Sequence, residues 1–132
     1  MSVNIYLADP TTAITTLSAP ALQLDKDGDC WALAPCIGRQ SSLGSQSVDL
    51  YHDTVFAGAS LIRLRAALAS ARLAYASGPP ILAVDTGTRL TPGRPALSIT
   101  IAGAAVVRLI DNLNHLARTA EASHQRLDFC GD

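Results

Sequence analysis

Apolar residues fall on two spacings along this chain, alternating in short runs and helical in two long stretches. Val3 to Leu7 alternates weakly and predicts a short strand. Asp9-Pro10 supplies an N-cap followed by proline, with Ile14 and Leu17 about a turn apart behind it, which predicts a short helix. Thr11, Thr12, Thr15 and Thr16 weaken that helix, because β-branched side chains lose χ1 freedom against the preceding turn. Leu22 and Leu24 alternate before Asp25-Lys26-Asp27-Gly28-Asp29, and Trp31 and Leu33 alternate after it, a pattern that predicts a hairpin across the Asp-Gly turn. Ser41 to Ser47 reads as a loop. Val48, Leu50, Thr54 and Phe56 share one parity of a strand that carries Asp49, Tyr51 and Asp53 on the other. A helix is predicted from about Gly58 to Ser77, stopped by Gly78-Pro79-Pro80. Ile81 to Val84 and Ala96 to Ile101 predict two short strands, and Ala104 to about Arg126 a second long helix. The expected architecture is α+β in one domain, residues 1–132: an antiparallel sheet covered by two long helices, with a candidate short N-terminal helix.

The two long helices differ in how many of their faces are apolar. Ala57-Gly58-Ala59-Ser60-Leu61-Ile62-Arg63-Leu64 aligns with Ala102-Gly103-Ala104-Ala105-Val106-Val107-Arg108-Leu109 at an offset of 45. In the later helix Val106, Leu109, Ile110, Leu113, Leu116, Ala117 and Ala120 form one stripe, and charged residues keep off it, as suits a helix with one face on a sheet. The earlier helix has such a stripe in Leu61, Leu64, Leu68, Ala71 and Tyr75. It also has a second seam, Ile62, Ala66, Ala69, Leu73 and Ala76, stepping by four and three and made mostly of small residues. At the matching places the later helix carries Asp111, Asn114 and Arg118 opposite Ala66, Ala69 and Leu73. A helix apolar on two sides is either wholly internal or stands in an interface, and Arg63, Arg65 and Arg72 favour the interface, with snorkelling arginine stems as the other option. The simplest closed solution for one chain is a C2 homodimer about that seam.

Composition narrows the chemistry. Ten Lys and Arg against eleven Asp and Glu give a formal charge of −1, which leaves no basic surface for nucleic acid. No apolar run approaches the ~18 residues of a membrane span, so no membrane insertion is expected. Three cysteines, an odd number, and a first basic residue only at Lys26 predict a cytoplasmic protein without a secretory leader. Cys30 and Cys36 lack the spacing and the neighbouring His of a zinc site, and the acidic turn lacks the Gly and Glu of an EF-hand, so neither metal nor cofactor is expected. Leu82-Ala83-Val84-Asp85-Thr86-Gly87-Thr88 matches the retroviral-type aspartic protease motif, but two long helices flank it and that fold is nearly all β. His52-Asp53 has no G-x-S-x-G to complete a hydrolase triad, and no catalytic residue is assigned.

The order of elements, together with four pieces of sequence, resembles the effector chaperones of bacterial type III secretion, the Tir-chaperone-like proteins. Ala21 to Trp31 resembles the family's first hairpin with its acidic Asp-Gly turn, and Leu61 to Tyr75 its long middle helix. Ile81 to Asp85 resembles the strand after that helix, and Ala96 to Leu116 the last strand and the C-terminal helix. The likeness covers about residues 10 to 127 and is one of residue classes; the Thr-rich first helix and the near-neutral charge depart from it. It implies a non-enzymatic homodimer that binds an extended N-proximal segment of a secreted effector along apolar grooves. The dimer contacts implied are Ile62, Ala66, Ala69, Leu73 and Ala76. The effector contacts implied are Ile14, Leu17, Leu22, Leu24, Trp31 and Leu33, each of which also suits an ordinary core position. A second class, an immunity protein that neutralises a bacterial toxin, stays open, with Asp49, Tyr51 and Asp53 as its toxin-facing patch.

Overall fold

The computed structural model describes residues 2–14, 18–25, 28–38, 41–49, 52–85 and 98–131. Its elements in chain order are β1 (Ser2–Ala8), β2 (Leu22–Asp25), α1 (Asp29–Ile37), a 3-10 turn (Gly44–Gln46), β3 (Thr54–Phe56), α2 (Ala59–Ala76), β4 (Ile81–Asp85), β5 (Ser98–Ala102), α3 (Gly103–Ala122) and β6 (Arg126–Gly131). The fold is α+β. Four antiparallel strands lie in the order β2-β1-β6-β3, and β4 and β5 pair as a separate antiparallel ribbon.

Register explains which face of the sheet is buried. Ile5 lies opposite Phe129, Leu7 opposite Leu127, Thr54 opposite Phe129 and Phe56 opposite Leu127. Side chains alternate across a strand, so Val3, Ile5, Leu24, Phe56, Leu127 and Phe129 share one face. They form a single hydrophobic cluster with Leu33, Leu61, Leu64, Leu68, Val106, Ile110 and Leu113 of the helices. Phe56 and Phe129 meet edge to face, ring centroids 5.3 Å apart. The other face is polar and centres on Arg126. Its guanidinium donates to the Asp128 carboxylate at 2.8 and 3.1 Å, to the carbonyls of Asp9 and Pro10 at 2.7 and 2.8 Å, and to that of Thr12. The segment after β1 is thereby tied to the last strand.

Four expectations are corrected. Gly28-Asp29 does not turn a hairpin but starts α1, which places Trp31 and Leu33 on a helix. Asp25 Oδ1 accepts the N–H groups of Gly28 and Asp29 at 2.7 and 3.4 Å, while Asp29 Oδ2 accepts that of Asp25 at 3.1 Å. That bracket satisfies amides at a helix start in the manner of a capping box, and Ala32, Leu33, Cys36 and Ile37 then fall on the buried face. No helix forms over residues 10–14, where Arg126 holds the carbonyls a helix would use; Leu17 lies outside the described residues. The last helix stops at Ala122 rather than near Arg126, because His124 takes φ +55° and the Gln125 N–H returns to the Ala120 carbonyl at 2.8 Å. The chain is thereby free to enter β6, an interior strand the sequence reading lacked. The strand expected over Val48 to Phe56 is reduced to Thr54–Phe56 and an isolated Asp49–His52 bridge, with Leu50 and Tyr51 outside the described residues.

Candidate interaction surface

Helix α2 is set by its ends. Gly58 turns the chain out of β3 with φ +54° and ψ −121°, a conformation costly to any side chain. The buried Ser60 hydroxyl accepts the Ala57 N–H at 2.7 Å and donates to the Ala57 carbonyl at 2.8 Å. At the other end Ser77 donates its hydroxyl to the Leu73 carbonyl at 2.7 Å before Gly78-Pro79-Pro80 ends the helix.

Between those ends the two predicted stripes separate cleanly. Leu61, Leu64 and Leu68 are buried and Ala71 and Tyr75 are partly buried. Ile62, Ala66, Ala69, Leu73 and Ala76 are all exposed, Ile62 to 57% and Leu73 to 72%. The arginines of the helix are each engaged within the chain. Arg63 donates to Gln46 Oε1 at 2.7 Å, Arg72 to Asp111 Oδ1 at 2.7 Å, and Arg65 to Glu121 Oε2. Two of these partners stand on α3, and Asp111 occupies the very place that Ala66 holds in the repeat.

Beside the seam lies a pocket of about 260 Å³, with Pro35, Cys36 and Ser42 on one side and Ala67, Ala71 and Ala74 of α2 on the other. None of its lining residues is charged. Tyr75 closes one end and donates its hydroxyl to the Ala32 carbonyl of α1 at 2.9 Å. Burial pushes the Cys36 thiol up to about 11. The pocket went unread in the sequence because its far wall comes from α1, which the chain was expected to fold as a strand. The run of small residues Ala67, Ser70, Ala71 and Ala74 was its only visible trace.

The candidate effector contacts scatter. Leu24 and Leu33 are 1% and 0% exposed, members of the core, and are corrected to that role. Ile14, Leu22 and Trp31 are partly exposed. On the strand that offered an acidic patch, Asp49 meets His52 at 3.5 Å with its side chain 18% exposed, and Tyr51 lies outside the described residues. Asp85 ends β4 opposite Ser98, and Thr86 to Thr88 of the protease-like motif lie outside the described residues. Among the described residues no helix is long and apolar enough to cross a membrane, and no group of His, Cys, Asp or Glu is arranged to hold a metal ion. No family model, curated protein or solved structure matches the chain.

Proposed function

We propose that the chain is a non-enzymatic protein-binding module, a homodimeric secretion chaperone of the bacterial cytoplasm that holds an extended N-proximal segment of a type III effector ready for export. The observation that carries this reading is the outward face of α2: five apolar residues in one seam, all exposed, on a helix whose arginines are tied elsewhere. Exposed apolar faces of this kind serve contacts with other chains. The partly exposed Ile14, Leu22 and Trp31 supply apolar anchors for an extended client. The immunity reading draws less support, because the Asp49 carboxylate is mostly covered and faces His52.

Two measurements test the proposal. In light scattering the wild-type protein should have the mass of a dimer, Ala69→Asp that of a monomer and Asn114→Asp an unchanged mass. Ala69 is exposed in the single chain, so the aspartate leaves the fold alone. Tagged protein drawn from its native cell should carry a secreted protein bound through its early residues. A toxin bound through its folded active domain would establish the immunity reading instead, and a wild-type monomer at high micromolar concentration would end the dimer.

A further inference from the structure

We infer that the outward face of α3, with Arg108, His115 and Arg118, is a docking surface for an acidic segment of another protein. Neither the apolar seam of α2 nor a dimer about it is needed for this.

Of the arginines among the described residues, Arg63, Arg65, Arg72 and Arg126 are engaged within the chain, by Gln46, Glu121, Asp111 and Asp128. Arg108 and Arg118 are the other two, both exposed on α3 and neither with an ion pair or side-chain hydrogen bond among the described residues. Their isolation has a cause. Each stands three residues before an acid of its own helix, Asp111 and Glu121, a spacing at which side chains are neighbours on a helix surface. Arg72 and Arg65 of α2 hold those two carboxylates instead. Packing of α2 on α3 thus commits both acids of α3 to the neighbouring helix and leaves the arginines of α3 uncompensated.

The charges share a face. At about 100° per residue Arg108 and His115 point within about 20° of each other, and Arg118 within about 80° of Arg108. From Arg108 to Arg118 the helix advances about 15 Å. Asp111 lies inside that arc, but with Arg72 on its carboxylate the pair adds no net charge. Nearby sequence does not cancel the excess. Residues 54–132 hold eight of the ten basic residues and five of the eleven acids, and the stretch 86–97, outside the described residues, contains Arg89 and Arg94 and no acid.

Carboxylates suit this face better than a phosphate backbone. Helix α3 has no aromatic residue on which a base could stack, and the chain as a whole is at −1, which opposes a long polyanion. A short acidic segment needs only local cations, and arginine pairs with carboxylates through a planar fork of donors. In extended form, carboxylates four to five residues apart span about 15 Å at 3.3 Å per residue, which matches the two arginines.

The test titrates the purified protein, at low salt, into a short fluorescein-labelled peptide of Glu, Gly and Ser followed by fluorescence anisotropy, with glutamine in place of glutamate as the blank. The substituted positions are all exposed, and circular dichroism checks that each variant folds. Arg108→Gln/Arg118→Gln should weaken binding about tenfold, whereas Arg63→Gln, which removes a cation already engaged by Gln46, should stay within about twofold. Arg72→Gln should weaken binding about threefold by releasing the Asp111 carboxylate onto the face, and Asp111→Asn should tighten it by a similar factor; added salt should weaken it throughout. An unchanged double variant, equal losses for Arg63→Gln and Arg108→Gln, or no binding beyond the glutamine blank would overturn the docking surface. A single-stranded oligonucleotide that binds more tightly than the peptide and is lost in the same double variant would overturn the protein partner in favour of nucleic acid.

Discussion

Arg126→Leu should be among the most damaging single substitutions outside the core. The Arg126 and Asp128 side chains are 15% and 10% exposed, and the guanidinium also serves three carbonyls of the segment after β1. Replacing the arginine leaves a carboxylate nearly out of water with no cation. Breaking a buried pair from one side costs about 3–5 kcal/mol, and the residual exposure here places the expected loss at about 3. The three freed carbonyls are near solvent and add little, since water replaces the lost donor. Urea unfolding followed by circular dichroism should show the midpoint falling by roughly 1.5 M, from an m-value near 2 kcal/mol/M. The double variant Arg126→Leu/Asp128→Leu should regain most of that loss, because an apolar pair of similar volume replaces a buried ion pair at little net cost. The exposed pair Arg72–Asp111, with side chains 48% and 46% exposed, is the internal control, and Asp111→Asn should leave the urea midpoint essentially where it is in the wild type, because solvent screens that pair. An Arg126→Leu protein within about 0.5 kcal/mol of wild type, or a double variant whose loss is the plain sum of the singles, would refute the claim that these two residues act as a buried couple.

Burial, with Asp29 and Asp25 adding to it at Cys30, pushes the Cys30 thiol up to about 12 and burial pushes Cys36 to about 11, from an ordinary value of 9.0. The unfolded chain therefore ionises these thiols first, and stability should be level below pH 9 and fall as pH rises from 9 through 11, a loss that replacing both cysteines by alanine should flatten in pH-dependent urea titrations. Gly58→Ala should cost about 1–3 kcal/mol through φ alone, since nothing lies within 4 Å of the added Cβ. Gly103→Ala should instead be felt as a steric clash, its Cβ meeting the Pro79 carbonyl at 3.1 Å, and a stabler Gly58→Ala protein in thermal unfolding would contradict the first of these. Replacing Asp111 by Asn and Glu121 by Gln together should leave the fold near intact but make dimer affinity weaker at low salt and restored at high salt, whereas a salt-independent dimer would show that the released arginines never face the second copy.

What could be read from the sequence was periodicity; what could not was the competition between a turn and a helix start. The stripes of α2 and α3 were legible because each runs for four or more turns, long enough for a helical spacing to exclude alternation. Asp25 to Asp29 was ambiguous by nature. An aspartate followed by glycine suits a hairpin, and an aspartate whose carboxylate caps the amides beyond it suits a helix start. Leu33 decided the matter by packing among Leu24 and Leu68 in the core, a long-range contact that no local pattern carries. Pro35 sits inside α1 despite lacking the N–H that a helix interior uses. The final strand was hidden because its boundary is made by His124 at positive φ, where a glycine would have marked the stop. The apolar seam on the outward face of α2 was legible as a stripe of residues, all of them exposed, while the pocket depended on α1 being a helix and so was lost with it.

The repeated segment shows how one pattern can yield two different surfaces. Both copies lead a strand through Ala-Gly into a long helix, but the glycines do different work: Gly58 supplies a left-handed turn, and Gly103 gives its N–H to the Pro80 carbonyl at 2.9 Å where a side chain would crowd the Pro79 carbonyl. The helices then diverge on their outward faces. Where α2 has Ala66, α3 has Asp111, and that aspartate reaches across to hold Arg72. Glu121, a few turns on, holds Arg65 in the same way. A helix with three arginines and no acid of its own would repel a copy of itself and attract any acidic segment. With its cations engaged by α3 and by Gln46, its open face is instead neutral and apolar, which removes the main electrostatic cost of placing two copies side by side. The exposed ion pairs contribute little to stability on this account, and their consequence lies in what α2 is left able to bind.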